Sequence, residues 1–249
     1  MDGVTGKYSV YDFFNMVIGG TLLLFGLIVS FHPYSVPVLE KLSEIIVKSI
    51  ISSTVTIILL VILAYTTGIV VYTLCSATCG LFCRCFPKFH RFEENMMEIC
   101  LSDEWIVGNP VKLNIYREKA KRYFEQEDIP VRKRFTRAQN RCFFAHCQYY
   151  IQCRGQNQKP ELMRDVIGLS FLLASVLILL STCNILALLG NPSTDRTLHI
   201  GMSAICLLGS AAFIHKYRRD VRNRIRMIIA IYDICVEKEI NEKGDKAMR

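Results

Sequence analysis

The chain has 249 residues, of which 51% are hydrophobic, and it carries a formal net charge of +8 at pH 7. Its mean hydropathy is +0.28, and the apolar residues are concentrated in four runs much longer than the soluble-protein average of about 11 residues per helix. This pattern excludes a water-soluble globular protein and indicates an integral membrane protein.

Four apolar runs are predicted to cross the membrane, and they are Phe13–Phe31, Ser49–Leu74, Val166–Leu189 and Leu198–Ile214. A helix needs about 20 mostly apolar residues to cross the hydrocarbon core. Within lipid every backbone polar group must be paired internally, so each run is predicted to be helical. The first run is predicted to be retained, because no basic segment precedes it and no small-residue cleavage site follows it.

Lys and Arg are distributed unevenly around these runs. Residues 84–164 hold 16 of the 30 Lys and Arg, and residues 216–249 hold another 10. Because basic segments next to spans stay on the cytoplasmic side, both segments and both termini are predicted to be cytoplasmic. The predicted location is the cell (inner) membrane, which the chain crosses four times.

The predicted fold class is an all-α integral membrane protein. It has four transmembrane helices in two pairs (2+2), a helical cytoplasmic insertion and a basic amphipathic C-terminal helix. The predicted divisions are an N-terminal membrane hairpin (1–79), a basic cytoplasmic helical module (80–164), a C-terminal membrane hairpin (165–215) and a cytoplasmic basic helix and tail (216–249).

Small residues in two spans favour close packing of helices, either in a bundle or in a homo-oligomer. They are Gly19, Gly20 and Gly26 in the first span and Ser203, Gly209, Ser210, Ala211 and Ala212 in the fourth. The spans carry no Asp, Glu, Arg or His at mid-depth, which argues against a proton-coupled transporter, since such proteins need intramembrane ionisable groups.

Hydroxyl side chains are concentrated in the second span. They belong to Ser52, Ser53, Thr54, Thr56, Thr66 and Thr67. Such hydroxyls either line a water path or bond back to their own helix, and the second interpretation is favoured.

Eleven cysteines would suggest disulfide bonds in a secreted protein, but none lies in a predicted outer loop, and a reducing cytosol keeps thiols free. The densest group is Cys75, Cys79, Cys83 and Cys85, with three sulfurs on one helical face. A straight stripe does not readily surround a tetrahedral metal ion, so packing at a helix end is favoured over metal binding or acylation. No metal and no cofactor is predicted.

The basic middle segment is the predicted functional region. Two helices, Leu113–Glu125 and Val131–Gln152, are predicted on either side of a break at Pro130. Between Lys112 and Lys159 the chain carries twelve Lys and Arg against four Asp and Glu. This charge attracts either the lipid bilayer, through anionic headgroups, or a soluble polyanion such as a nucleotide, an oligonucleotide or RNA.

The predicted polyanion-binding residues lie within or just before the second of these helices. They are Arg132, Lys133, Arg134, Arg137, Arg141 and His146. Aromatic residues interleaved with them either stack on bases or form a core, and a core is favoured.

The segment after the fourth span combines basic residues with an apolar stripe at helical spacing. The stripe consists of Val221, Ile225, Ile228, Tyr232 and Cys235. It predicts an amphipathic helix that either lies on the membrane or packs against the middle segment.

One short pattern suggests an enzyme. Arg141 and His146 fit the R-x₄-H spacing of HEPN ribonucleases, in which Arg and His from paired helices act on the RNA phosphodiester. Cys142 stands where that family usually has a polar residue. A membrane-tethered ribonuclease is therefore the alternative hypothesis, whereas the favoured one assigns no catalytic residue, and a scaffold without a ligand is a third.

Two further motifs carry a family resemblance. The segment from Tyr8 to Phe14 reads Tyr-x-x-Tyr-Asp-Phe-Phe, and Ala64, Tyr65 and Gly68 form Ala-Tyr-x-x-Gly. With the two-plus-two layout, these motifs resemble small bacterial membrane proteins of defence loci: membrane accessory proteins of type VI CRISPR systems, and membrane effectors of nucleotide-signalling anti-phage systems. The resemblance implies a cytoplasmic sensor coupled to membrane perturbation during phage infection, with a nuclease or nucleotide-synthesising enzyme as partner.

Overall fold

The computed structural model describes residues 10–31, 53–85, 92–102, 108–131, 134–190 and 196–247. In these ranges the regular secondary structure is entirely helical, as predicted. The helices are α1 (Val10–Ser30), α2 (Ser53–Cys85), α3 (Phe92–Glu98), α4 (Pro110–Gln126), α5 (Arg137–Cys153), α6 (Gln158–Gly190) and α7 (Arg196–Ala247).

Four of these helices, α1, α2, α6 and α7, are long and apolar enough to cross a membrane, which confirms the prediction of four membrane-spanning helices. Two of them are much longer than a span requires. Helix α6 has 33 residues and α7 has 52, whereas about 20 residues cross the hydrocarbon core. Both helices therefore extend well beyond their apolar runs.

The chain divides into two compact units. The membrane unit comprises Met1–Arg84 and Ile167–Tyr217, and the basic module comprises Cys85–Val166 and Arg218–Arg249. The boundary between Val166 and Ile167 falls inside α6, and the boundary between Tyr217 and Arg218 falls inside α7. Each of these helices therefore contributes residues to both units.

All four long helices contribute to the core of the membrane unit. Its buried residues are Leu23, Val71, Leu172, Val176, Leu180 and Cys206. Lipid tails are as apolar as these side chains, so their burial supplies little driving force, and close packing and interhelical hydrogen bonds hold such bundles together.

Helices α1 and α2 approach each other backbone to backbone. A Cβ atom on Gly20 would lie 1.8 Å from the carbonyl oxygen of Ala64, and one on Gly68 would lie 2.0 Å from that of Met16. Only glycine fits at these two positions. Because the contacts pair 16 with 68 and 20 with 64, the two helices are antiparallel.

Glycines also determine where α6 and α7 pack. Gly19 faces the side chain of Leu172 and Gly26 faces that of Leu180, so α1 and α6 run parallel. Gly209 of α7 faces Leu177 of α6, and a Cβ atom on Gly209 would lie 3.0 Å from Leu177 Cδ1. The small residues of the first span therefore contact helices of the same chain.

The helices of the basic module begin at sequence-encoded caps. The Asn109 side chain accepts hydrogen bonds from the backbone N–H groups of residues 111 and 112, and Pro110 occupies the first turn, so α4 begins three residues before the predicted Leu113. Thr136 and Gln139 form a capping box that begins α5 at Arg137. The predicted start of this helix at Val131 was wrong, because the described residues before Thr136 are not helical and the capping box begins the helix at Arg137.

The C-terminal part of α7 packs within the basic module. Val221, Ile225, Ile228 and Tyr232 are buried there, and the Tyr232 ring meets that of Phe143 edge to face, with 5.7 Å between centroids. The apolar stripe is therefore covered by protein. Of the two predicted placements, the structure has the one in which this helix packs against the middle segment.

We predict that Gly20→Ala destabilises the membrane unit by about 1–3 kcal/mol, the usual cost of forcing an extra methyl group into a filled space. Gly201→Ala is the matched control, because a Cβ at Gly201 meets nothing within 4 Å. Thermal unfolding of the full chain in detergent provides the measurement. Equal melting temperatures for the two variants would contradict the backbone contact between α1 and α2.

Candidate functional site

The candidate site lies on the first turns of α5. Arg137 is the first residue of this helix and Arg141 lies one turn later, so the two guanidinium groups share a face. Arg134 precedes the helix and is exposed. The structure therefore brings two of the predicted arginines together on one helix and places the third three residues before it.

Glu98, at the end of α3, lies between the two arginines. Arg141 Nη2 donates a hydrogen bond of 2.9 Å to Glu98 Oε1, and Arg137 Nη1 lies 4.0 Å from Oε2. The two arginine side chains remain 81% and 52% exposed, whereas that of Glu98 is only 20% exposed. The site thus presents two solvent-accessible guanidinium groups above one more deeply placed carboxylate.

These residues line a shallow depression of about 460 Å³, whose lining is Glu98, Arg137, Ala138, Arg141, Cys142 and Ala145. A volume of this size is within the range of small-ligand pockets. The small side chains of Ala138 and Ala145 leave space beside the arginines. The depression is therefore open, positively charged and accessible from solvent.

Side-chain hydrogen bonds that do not involve Arg137 or Arg141 fix the backbone around Glu98. The Asn140 side chain donates hydrogen bonds to the Glu98 carbonyl oxygen at 2.6 Å and to Ser102 Oγ at 3.1 Å. Arg117 Nε donates to the carbonyl oxygen of Leu101 at 2.7 Å. Leu101 is fully buried. The turn after α3 is thus anchored on both α4 and α5.

Two of the predicted site residues that the structure describes, Arg134 and His146, do not line this depression. Arg132 and Lys133 lie outside the described residues. His146 is half-buried and stacks on Tyr123 of α4, with 4.1 Å between ring centroids, while the edge of Tyr232 lies 5.6 Å from its ring. Within one chain, Arg141 and His146 therefore contact different surroundings, Glu98 for the first and an aromatic cluster for the second.

Burial lowers the pKa of His146, and the nearby charge of Glu127 opposes that effect without overcoming it. The imidazole is therefore mostly neutral at neutral pH. A neutral ring stacked on Tyr123 contributes packing rather than positive charge to the basic face.

Most of the interleaved aromatic residues form the core of the module. Tyr116, Phe124, Phe143 and Phe144 are buried, which supports the favoured interpretation of these rings. Tyr149 differs, because it is 69% exposed on α5. It is the aromatic residue of α5 that is available for stacking against a ligand.

The cysteines of the described residues are free thiols, and those residues contain no cluster that could hold a metal ion. Burial raises the pKa of Cys100 to about 12 and also raises that of Cys147, so both are unreactive as nucleophiles at neutral pH. Helix α2 is continuous through Cys85, but the side chains of the Cys75–Cys85 stripe lie outside the part described.

A buried network of hydrogen bonds in the membrane unit was not predicted from the sequence. His199 Nδ1 lies 2.8 Å from Asn184 Oδ1, and Asn184 Nδ2 donates to Ser30 Oγ at 2.9 Å and to the carbonyl oxygen of Leu180 at 2.8 Å. Because both amide hydrogens are used, Oδ1 must accept, and Nδ1 of His199 carries the proton. The network connects α1, α6 and α7.

A second polar contact joins α6 and α7, where the hydroxyl groups of Ser181 and Ser203 lie 2.7 Å apart. The side-chain partners lie far apart in the chain: Asn184 is 154 residues from Ser30 and 15 from His199, and Ser181 is 22 from Ser203. The sequence did contain one indication of the network, because Asn184 is one of two amide side chains in the predicted spans.

Two hydroxyl groups of α2 bond back to their own helix, and one of them, that of Thr66, belongs to the six hydroxyl residues predicted for this span. Thr66 Oγ1 donates to the carbonyl oxygens of Ile62 and Leu63, both at 3.0 Å, and Thr73 Oγ1 donates to that of Ile69 at 2.8 Å. These bonds follow the favoured interpretation for this span.

Comparison of the chain with protein-family models, with curated proteins and with solved structures finds no match.

We predict that acidification destabilises the basic module through His146. Burial holds the pKa of His146 in the folded protein below that of a free imidazole. The unfolded chain therefore binds more protons as the pH falls toward and below about 6.5, and stability is progressively lost. Melting temperatures of the full chain between about pH 7.5 and pH 5.5 should fall more steeply for the wild type than for His146→Gln. The control is His215→Gln, which removes an exposed imidazole and should retain the wild-type slope.

Proposed function

We propose that the protein is a membrane-embedded effector or accessory protein whose basic module binds a polyanion in the cytoplasm and whose helical bundle perturbs the membrane. The observation that carries this proposal is the pair of exposed guanidinium groups of Arg137 and Arg141 beside an open depression of about 460 Å³. Guanidinium groups match the geometry of phosphate oxygens and form charge-assisted hydrogen bonds with them.

The surroundings of the pair support a phosphate-bearing ligand rather than a small neutral one. Arg134 adds an exposed positive charge just before the helix, and Tyr149 adds an exposed ring further along it. Basic residues with an exposed aromatic ring are the usual elements of sites for nucleotides and single-stranded nucleic acids. The ligand class is therefore a nucleotide, an oligonucleotide or RNA.

We further propose that the four spans form two antiparallel hairpins with both termini in the cytoplasm of the cell that makes the protein. Two contacts in each pair support the antiparallel arrangement: Gly20 with Ala64 and Met16 with Gly68 in the first, and Leu177 with Gly209 and Ser181 with Ser203 in the second. The excess of Lys and Arg in residues 84–164 and 216–249 supports the orientation. The resemblance to membrane proteins of bacterial defence loci supports the inner membrane and an anti-phage role.

Membrane perturbation in this proposal requires association of several copies. The first half of α2 exposes apolar side chains around its whole circumference, including Val55, Ile57, Ile58, Leu59, Leu60, Val61, Ile62 and Leu63. In a single copy these side chains face lipid, and in a homo-oligomer they supply contacts between copies. Helices α6 and α7, which extend from the membrane unit into the basic module, provide the physical connection between binding and the bundle.

We predict that single cysteines at Ser35 and Ser193, introduced into a cysteine-free chain, react with a membrane-impermeant thiol reagent applied to intact cells. A cysteine at Gln156 should react only after permeabilisation, because that residue lies in the segment retained inside by its charge. Mass-tagged gel shifts provide the measurement. Labelling of position 156 in intact cells would overturn the orientation and with it the cytoplasmic ligand.

We predict that the triple change Arg134→Gln, Arg137→Gln and Arg141→Gln weakens binding of a fluorescent single-stranded RNA of about 20 nucleotides by tenfold or more. The slope of log affinity against log salt should also fall by about 2, since each lost contact on a single strand contributes about 0.7. Fluorescence anisotropy with the full chain in detergent provides the measurement.

The matched control carries Lys112→Gln, Arg122→Gln and Lys159→Gln, which removes the same charge from exposed positions elsewhere in the module. An equal loss of affinity in both triple variants would mean diffuse attraction rather than a site. Absence of RNA binding to the wild type, with weaker attachment of the arginine variant to anionic vesicles, would indicate lipid docking instead.

A further inference from the structure

The contact between Glu98 and the two arginines has the chemistry of a ligand complex. A carboxylate and a phosphate present similar oxygen geometry to a guanidinium group and accept the same charge-assisted hydrogen bonds. The Glu98 carboxylate directs one oxygen to each arginine, at 2.9 Å from Arg141 and 4.0 Å from Arg137. It therefore occupies the positions that the oxygens of a bound phosphate would take.

We propose that Glu98 is an intramolecular competitor for the anion site, so that a polyanion binds Arg137 and Arg141 only by displacing this carboxylate. The inference rests on the proposed function, because it concerns regulation of the same site. In such a site the measured affinity equals the intrinsic affinity multiplied by the fraction of molecules in which the carboxylate has left.

The structure allows the side chain to leave without unfolding its surroundings. The backbone of the turn after α3 is fixed by Asn140 and Arg117, neither of which depends on the Glu98 carboxylate. The other end of α3 is fixed by an ion pair between Glu93 and the buried Arg224 of α7. Rotation of the Glu98 side chain therefore removes the carboxylate from the two guanidinium groups while α3 stays in place.

The arrangement also determines the direction from which a ligand approaches. Arg137 and Arg141 are more exposed than Glu98, so an incoming phosphate meets the guanidinium groups before it meets the carboxylate. Electrostatic repulsion between the phosphate and Glu98 then favours departure of the side chain. A monovalent anion repels the carboxylate less than a divalent phosphate does, so small monovalent anions displace Glu98 less effectively.

Glu98→Gln tests the proposal, because it removes the negative charge and preserves the shape of the side chain. We expect this variant to bind the same RNA of about 20 nucleotides about three- to tenfold more tightly than the wild type, the effect of removing one partly screened charge next to the site. Glu98→Ala, which removes the contact entirely, should bind at least as tightly. Melting temperatures of both variants verify that the module remains folded.

Glu118→Gln is the control for general electrostatics. Glu118 forms a salt bridge of 2.6 Å with Lys121 on α4, so this change also removes one carboxylate from an ion pair of the module. Tightening by Glu118→Gln equal to that by Glu98→Gln would overturn the inference, because the effect would then reflect net charge alone.

A double-mutant cycle separates the inference from the proposed function. Glu98→Gln should have no effect when Arg137 and Arg141 are both replaced by Gln, because the competitor then has no site to occupy. If the arginine replacements weaken RNA binding but Glu98→Gln leaves it unchanged or weaker, the site stands and the inference fails. If the arginine replacements have no effect, the proposed function itself fails.

Discussion

The structure depends on a constraint imposed by the hydrocarbon: helices surrounded by lipid gain little from bringing apolar side chains together. Close approach of backbones and buried hydrogen bonds must therefore hold the membrane unit. Gly20 and Gly68 permit the approach of α1 and α2, and the network of Ser30, Asn184 and His199 joins α1, α6 and α7. Every long helix of the unit takes part in at least one of these contacts.

The basic module is held by a different force. In its proposed cytoplasmic location water surrounds it, so burial of Phe124, Phe143, Phe144 and Ile225 supplies the main stabilisation. Polar groups in this module determine position rather than stability, as Asn140 does for the turn after α3. The candidate site depends on that positioning, because it forms where α3 and α5 are placed against each other.

Features encoded locally could be predicted from the sequence. The membrane spans follow from hydropathy summed over about 20 residues, a signal that no single substitution removes. The spacing of Arg137 and Arg141 places them on one helical face. The start of α5 is also encoded locally, in Thr136 and Gln139, although the predicted helix included the basic segment before it. Partners distant in sequence could not be predicted: Glu98 lies 43 residues before Arg141, and no periodicity connects Asn184 with Ser30.

The division of α7 between the two units has a consequence for biosynthesis. The core of the basic module includes Val221, Ile225 and Ile228, which leave the ribosome only after the fourth span has been made. The surface of α1 around Gly19 and Gly26 likewise stays uncovered until Leu172 and Leu180 of α6 arrive, more than a hundred residues later. Folding of both units therefore completes only after the fourth span has been translated.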